Sequence, residues 1–349
     1  MITFDTTLVR EYWHLLCHRR ELPAKGDYLR FETAAGDIVV FHDGVELVAF
    51  DNRCPHRGAR LYDGTHGNQA ASCKYHGWTH DAGVMLIPER QKYAACELAE
   101  ARLHRYTLDW CGNFLFVAIA PRLTLDAQLG DAAALLENIA FNIDGRADAN
   151  AYRFDCAWPL AVENALEPAH IGHVHPQTLA ALQLGDGEDR FMGLNSLWEA
   201  PIGNARIRRQ LLALKRFFAI DHGYEGYASL YLFPFTMLSS TFGYSYALQH
   251  FFPAPAQGGP AATQFSSRLL TVPCVDERAA ATVAPLLAST VQMNRRVFDE
   301  DHEVCKRLPA DAWSAEPLRF ASTDEARLQH FRAACRQHLA GATRAGEFA

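Results

Sequence analysis

No apolar run in the 349-residue sequence reaches the roughly 18 residues of a membrane-spanning helix, so a membrane-spanning helical protein is not expected. The opening Met-Ile-Thr-Phe-Asp-Thr-Thr lacks the basic-then-apolar order of a signal peptide, which predicts a cytoplasmic location. A concentrated basic block is also missing and the net charge is −7, which argues against a nucleic-acid partner. Nor is there a Gly-x-Gly-x-x-Gly loop after a strand: Gly185-Asp-Gly187 continues as Glu-Asp-Arg without a third glycine. Nicotinamide and flavin are therefore not expected on this chain. Repeats and low-complexity linkers are absent, apart from a short Pro/Gly-rich turn at Pro253 to Pro260. With 49 % hydrophobic and 21 % charged residues, the chain has a globular composition and enough length for two cores.

Nine cysteines are present. Seven of them (Cys17, Cys96, Cys111, Cys156, Cys274, Cys305 and Cys335) are scattered and odd in number, which predicts reduced core residues more than disulfides. The other two stand in Cys54-Pro-His56 and Cys73-Lys-Tyr-His76. Two thiolates and two imidazoles in matched pairs form the ligand set of a Rieske [2Fe–2S] cluster, in which cysteines hold one iron and histidines the other. The alternative is a structural zinc site, although zinc fingers usually group cysteines in one pair and histidines in another. The cluster reading makes this a chain that handles electrons.

Along the sequence, Leu8, Tyr12, Leu15 and Leu16 read as an amphipathic helix within a helical segment over 1–37. Asp37 to His42 and Val45 to Phe50 read as strands joined by Asp43-Gly44, a type I′ hairpin signal. Further strands near Val84 to Ile87 and Asn113 to Ala120 complete a small β domain over 38–120, with both cysteine loops at one end. From 121 to 349 the pattern predicts an α+β domain, an antiparallel sheet carrying helices. It has helix near Leu123 to Leu136, strands from Ala151 and across Phe191 to Val272, and helix again from Glu277.

The segment from Glu163 to Pro176 concentrates Glu163, Glu167, His170, His173 and His175. His170 and His175 are five apart, off one face of an ideal helix, but Pro176 disfavours the α region for His175 and lets the two imidazoles converge. A non-haem iron(II) site of two histidines and one carboxylate would then need its acid from elsewhere. Asp301 falls on the apolar stripe Leu287, Val291, Asn294, Phe298, Asp301, Cys305 and Leu308 of the late helix, where an ionised carboxylate must be paired or bind metal. A pair with Arg296 or Lys306 is the alternative; Glu300 and Asp299 sit further round, and His302 reads as solvated.

Cys54-Pro-His-Arg-Gly-Ala59 and Cys73-Lys-Tyr-His-Gly-Trp78 resemble the Rieske domain of ring-hydroxylating and demethylating oxygenases. Ala59 stands where respiratory Rieske proteins carry an additional cysteine. Val162 to His170 with His175-Pro176, and Val297-Phe-Asp-Glu-Asp301, resemble Rieske non-haem iron oxygenase α subunits of the O- and N-demethylase branch, such as vanillate and dicamba demethylases. Nearly the whole chain is covered. The resemblance implies a small all-β Rieske domain and a helix-grip-type catalytic domain. It implies cluster binding by Cys54, His56, Cys73 and His76, and mononuclear Fe(II) held by His170, His175 and Asp301, with His173 packed or hydrogen-bonded instead. Glu167 stands where the family usually has an aspartate that bridges a cluster histidine of one subunit to an iron-binding histidine of the next, and Glu163 is an alternative for that task. Also implied are a head-to-tail homotrimer and a separate NADH-dependent flavin reductase or ferredoxin, docking near His56 and His76.

By that likeness the chain is a terminal oxygenase that uses O2 and two electrons to hydroxylate or oxidatively demethylate a small organic substrate. Arene cis-dihydroxylation is the nearest alternative, and a Rieske electron carrier or a redox-sensing binding protein are alternatives of another kind. The aromatic-rich run Phe217 to Phe252 suits an apolar pocket, although most of its rings are expected in sheet core. Arg206 and Arg208 alternate along an expected strand, where they could clamp a carboxylate or lie on a solvated edge.

Overall fold

The structure, a computed structural model, describes residues 4–221, 223–255, 261–309 and 311–346; positions 256–260 of the Pro/Gly-rich turn lie outside them. The chain divides into two compact units, Met1–Leu125 and Asp126–Ala349. Among the described residues no helix is long and apolar enough to cross a membrane.

The first unit runs α1 (Phe4–Glu11), β1 (His14–His18), β2 (Asp27–Thr33), β3 (Gly36–His42), β4 (Leu47–Asp51), β5 (His66–Asn68), β6 (Ala71–Ser72), β7 (Thr79–Asp81), β8 (Val84–Leu86), α2 (Ala95–Ala99), β9 (Thr107–Cys111) and β10 (Phe114–Ala118). They form antiparallel sheets ordered β1-β10-β9, β4-β3-β2-β5 and β6-β7-β8. The expected N-terminal helix stops at Glu11, and Leu15 and Leu16 lie instead on β1, paired with β10 from His14↔Val117 onward. All five residues of β1 are buried, so its apolar positions follow burial on both faces and mimic helical spacing. Much of the 1–37 segment is thus strand. The β3–β4 hairpin forms with a longer loop than the type I′ turn expected. His42 pairs Leu47, Gly44 alone takes positive φ (+102°), and Asp43 Oδ1 accepts from the Val45 and Glu46 amides. The Asp43 side chain therefore organises four residues, where a two-residue turn would need left-handed backbone twice.

Buried on β1, His14 has its Nε2 2.9 Å from the Val9 carbonyl, and burial pulls its pKa down to about 4. The unfolded chain thus takes up a proton near pH 6.5 that the folded chain refuses until about pH 4, so stability is full above that window and falls as pH drops through it. Between pH 7.5 and 5 this one group is expected to cost about 2 kcal/mol. Denaturation midpoints of His14→Gln should be correspondingly less acid-sensitive, and an unchanged acid slope would reject the assignment.

The second unit follows with α3 (Leu125–Leu129), α4 (Ala132–Phe141), β11 (Gly145–Phe154), α5 (Trp158–Leu166), α6 (Ile171–Val174), β12 (Glu188–Met192), β13 (Asn195–Pro201), α7 (Ala205–Leu214), β14 (Gly226–Leu232), β15 (Thr236–Thr241), β16 (Ser245–Pro253), β17 (Thr263–Thr271), α8 (Glu277–Cys305) and α9 (Ala326–Gly346). Its seven-stranded antiparallel sheet is ordered β11-β17-β16-β15-β14-β13-β12, and α5 packs on α8, α9 and β16. Arg206, Arg208 and Arg209 lie on α7, not on a strand. Asn204 caps that helix by accepting from the Arg206 and Ile207 amides, a local bond that outweighs the alternation of the arginines. Among the described residues Arg208 stands 3.8 Å from Glu225, both half-exposed.

α8 starts at Asp276, whose Oδ1 accepts from the Ala279 amide. The helix ends at Cys305, so Leu308 falls beyond the stripe and is 42 % exposed. Val297, Phe298 and Cys305 are buried and Asp301 half-buried on the face toward α5. Most rings of the aromatic run, among them Phe218, Tyr231, Phe233, Phe235, Phe251 and Phe252, are buried core.

Candidate metal centres

Two similar turns carry the first set of residues. The Gly58 amide donates to the Cys54 carbonyl and the Gly77 amide to the Cys73 carbonyl, at 2.8 and 2.9 Å. The Cys54 and Cys73 amides in turn donate to Ala59 and Trp78 carbonyls, both at 2.8 Å. Each turn closes through a glycine of positive φ, +74° at Gly58 and +72° at Gly77. A Cβ at Gly58 would meet nothing within 4 Å, so backbone conformation and not space demands glycine there. The turns bring the His56 and His76 rings to a centroid distance of 4.6 Å. Trp78 stacks on His56 at 4.7 Å with 6° between planes, which fixes that imidazole.

Cys54 and Cys73 are buried in one apolar cluster with Phe50, Tyr62 and Trp78, whereas His76 is exposed. Burial pushes the Cys54 thiol up, and its partner in that environment is the Cys73 thiol. His56 Nδ1 is buried without a hydrogen-bond partner. Unpaired buried polar atoms are costly, so a metal acceptor fits there. A single zinc would draw all four ligand atoms around one ion. Among the described residues, however, the only group of three or more ligands compact enough for one ion lies elsewhere, which favours a two-iron cluster over zinc at these loops.

That compact group is His170, His175 and Asp301, whose ligand atoms all lie within 4.8 Å of one another. The break in the helix pattern produces it. Glu167, preceding Pro168, is extended (φ −103°, ψ 135°) and ends α5; α6 is a single turn; and His175, preceding Pro176, leaves the helical region. Asp301 Oδ1 stands 3.0 Å from His175 Nε2 and 3.6 Å from His170 Nε2. Ligands about 2.1 Å from a shared ion and at right angles lie about 3 Å apart, so the spacing suits a facial set. His175 is fully buried and its Nε2 has no hydrogen-bond partner despite that proximity.

Around these three, the outer contacts orient the rings. Glu167 Oε1 is 2.7 Å from His170 Nδ1 and its Oε2 accepts from the His170 amide. Glu300 Oε2 is 2.7 Å from His175 Nδ1 and accepts from the Thr178 hydroxyl. With Nδ1–H donated to a carboxylate, each imidazole keeps its Nε2 lone pair for a cation. Asn164 Nδ2 donates to Asp301 at 2.8 Å. Burial works to lower the His175 pKa, yet Asp301 and Glu300 hold it above its ordinary value. Such a concentration of carboxylates calls for positive charge.

Several expectations change here. Asp301 pairs with neither Arg296 nor Lys306, and Lys306 pairs Glu303 instead. Glu163 is turned away from the triad: its carboxylate takes Arg332 at 2.6 and 3.0 Å and Trp313 Nε1 at 2.8 Å, so it is an anchor for α9 and not a bridge. His173 is exposed, not packed, and His302 is not solvated, since its ring stacks on Phe154 and its Nε2 accepts from the Asp155 amide. Asn164 and the orienting role of Glu300 are not marked in the sequence, because both depend on contacts between α5, α6 and α8.

A cavity of about 260 Å³ opens on the triad. Trp198, Leu211, Tyr227, Met237, Tyr244 and Phe298 give it apolar walls, and Ser229, Gln249 and Arg327 add polar groups.

Residues 12–97 match the Rieske [2Fe-2S] domain, and residues 143–341 match the ring hydroxylating alpha subunit (catalytic domain). The chain is 28 % identical to the large subunit of anthranilate 1,2-dioxygenase from Acinetobacter baylyi, over 50 % of this chain and 40 % of that protein. It is 28 % identical to the carnitine monooxygenase oxygenase subunit of Escherichia coli K12, over 66 % and 61 %. The matched part thus spans about two fifths to three fifths of these relatives. In fold it is similar to a quaternary ammonium Rieske monooxygenase in complex with L-carnitine (TM-score 0.71, 17 % identity, 96 % of this chain and 90 % of that one). It is also similar to naphthalene 1,2-dioxygenase bound to phenanthrene (TM-score 0.68, 18 % identity, 87 % and 76 %). The chain belongs to the ring-hydroxylating α-subunit family, in which a Rieske domain carries a [2Fe–2S] cluster and the catalytic domain a mononuclear iron.

Proposed function

We propose that this chain is the terminal oxygenase of a Rieske system, and that it hydroxylates or oxidatively demethylates a small organic substrate. The observation that carries the reading is the convergence of His170, His175 and Asp301 on one cavity, in a chain that also has a Rieske domain. In this reading the Rieske domain lies in the first compact unit, with Cys54, His56, Cys73 and His76 as cluster ligands, and the second unit is catalytic, with the triad holding Fe(II). Dihydroxylation of an arene is the second reading, supported by the similarity to anthranilate 1,2-dioxygenase.

For monooxygenation, O2, two electrons and two protons enter, one oxygen atom goes into a substrate C–H bond and the other leaves as water. Iron held by His170, His175 and Asp301 would supply oxygen activation, and a cluster on Cys54, His56, Cys73 and His76 would supply an electron. The chain's own residues position and shield. Glu167 and Glu300 hold the two imidazoles, Asn164 holds Asp301, and the apolar walls exclude water from the substrate. Glu167 is the candidate for relaying electrons to His170, as its contact with that ring would form one half of an inter-subunit bridge in a head-to-tail homotrimer. Electrons would come from a partner reductase or ferredoxin. Monooxygenation gains support from the carnitine and glycine betaine monooxygenases among the relatives.

Anaerobically purified protein should carry about three irons and about two acid-labile sulfides per chain, with a Rieske-type paramagnetic signal after reduction. About two irons to two sulfides, unchanged by added Fe(II), would leave a carrier or sensor and overturn the oxygenase reading.

A further inference from the structure

Arg327 is only 2 % exposed, on the first turn of α9, and forms part of the wall of the cavity that holds the triad. Its Nε donates to Ser196 Oγ at 3.1 Å, Nη2 to the Ser229 carbonyl at 3.1 Å and Nη1 to Ser229 Oγ at 3.5 Å. Every partner is neutral. Among the described residues no carboxylate lies within the 4.0 Å of an ion pair with it; Asp189 acts on it only at longer range. Burial pulls its pKa down to about 10, which leaves it charged at neutral pH. A guanidinium has five N–H donors in a fixed fork, and three contacts leave two of them to spend.

A buried cation without a counter-ion is costly, and proteins keep such groups where a ligand completes the pair. The lining of the cavity carries charges of both signs. Glu167 and Asp301 line it at the metal end, whereas Arg327 is the cationic side chain other than histidine among its described lining residues. Tyr227, which also lines it, lies in the field of both Asp301 and Arg327. We infer that Arg327 is the specificity-determining residue of the pocket and that the substrate is a small carboxylate, its anionic group held by Arg327 with Ser229 and its remote end facing His170, His175 and Asp301. This deepens the oxygenase reading and rests on it. The like charge of Asp301 and Glu167 opposes the reversed orientation.

Calorimetric titration of the oxidised, cluster-loaded protein tests binding without turnover, using benzoate and glycine betaine against the uncharged or cationic analogues benzamide and choline. Carboxylates are expected to bind about tenfold or more tightly than their analogues. In Arg327→Gln that preference should disappear, whereas Arg327→Lys should keep part of it. A purely structural arginine would leave the benzoate-to-benzamide ratio unchanged in Arg327→Gln, and that result overturns the proposal, as does wild-type protein that binds neither carboxylate or prefers choline. If Arg327→Gln fails to fold, the wild-type ratio and Arg327→Lys still decide. Because the readout needs no oxygen activation, a failure here is separable from a failure of the oxygenase reading, which shows in iron content and product.

Discussion

Asp301→Ala is expected to keep the visible absorption of a Rieske cluster, lose the mononuclear iron and show no product, a drop of about three orders of magnitude or more in turnover. The reasoning is geometric. Asp301 Oδ1 is the atom that stands 3.0 and 3.6 Å from the two imidazole nitrogens, and without it a cation would have two neutral ligands. Glu300 is the nearest substitute, but it is engaged by His175 Nδ1 and Thr178, and moving it inward would release the ring it orients. Iron analysis and a turnover assay on the same preparation check the outcome. An active Asp301→Ala enzyme would mean that Glu300 or another carboxylate holds the metal.

His76→Ala should have the opposite signature, with loss of the cluster's absorption and reduced paramagnetic signal while the catalytic unit retains iron. His76 lies on the exposed side of its loop, so little packing is lost by its truncation. The turn itself is set by Gly77 and the Cys73 backbone, which the substitution leaves in place. Loss of the spectrum in a protein that still shows native circular dichroism would therefore report ligation and not unfolding. Retention of the spectrum would remove His76 from the ligand set.

Much of this was readable in the chain because ligand chemistry is local. Cys54 with His56 and Cys73 with His76 are spelled out within a few residues, and the proline after His175 announces the break that lets His170 and His175 converge. Asp301 could be found because a carboxylate on an apolar stripe demands a partner. What the sequence concealed depends on contacts between distant segments. Glu163 looks like a second ligand-grade acid until Arg332 is seen beside it. Arg327 looks like one more surface charge on a polar helix until the sheet closes over it. Arg206 and Arg208 show the converse, since alternation suggested a strand while the Asn204 cap made a helix.

The Glu163–Arg332 pair also has a bearing on biosynthesis. Glu163 belongs to the helix that leads into Glu167 and His170, and its cationic partner lies 169 residues later in the chain. Until α9 is made, the Glu163 carboxylate lacks the guanidinium that offsets its burial, and a buried unpaired charge costs several kcal/mol. The cradle of His170, His175 and Asp301 is consequently a late event in the life of each molecule, closed by contacts of very high sequence separation. A site built from His170, His175 and Asp301 therefore needs segments 131 residues apart in the chain, whereas Cys54, His56, Cys73 and His76 lie within 23 residues of one another.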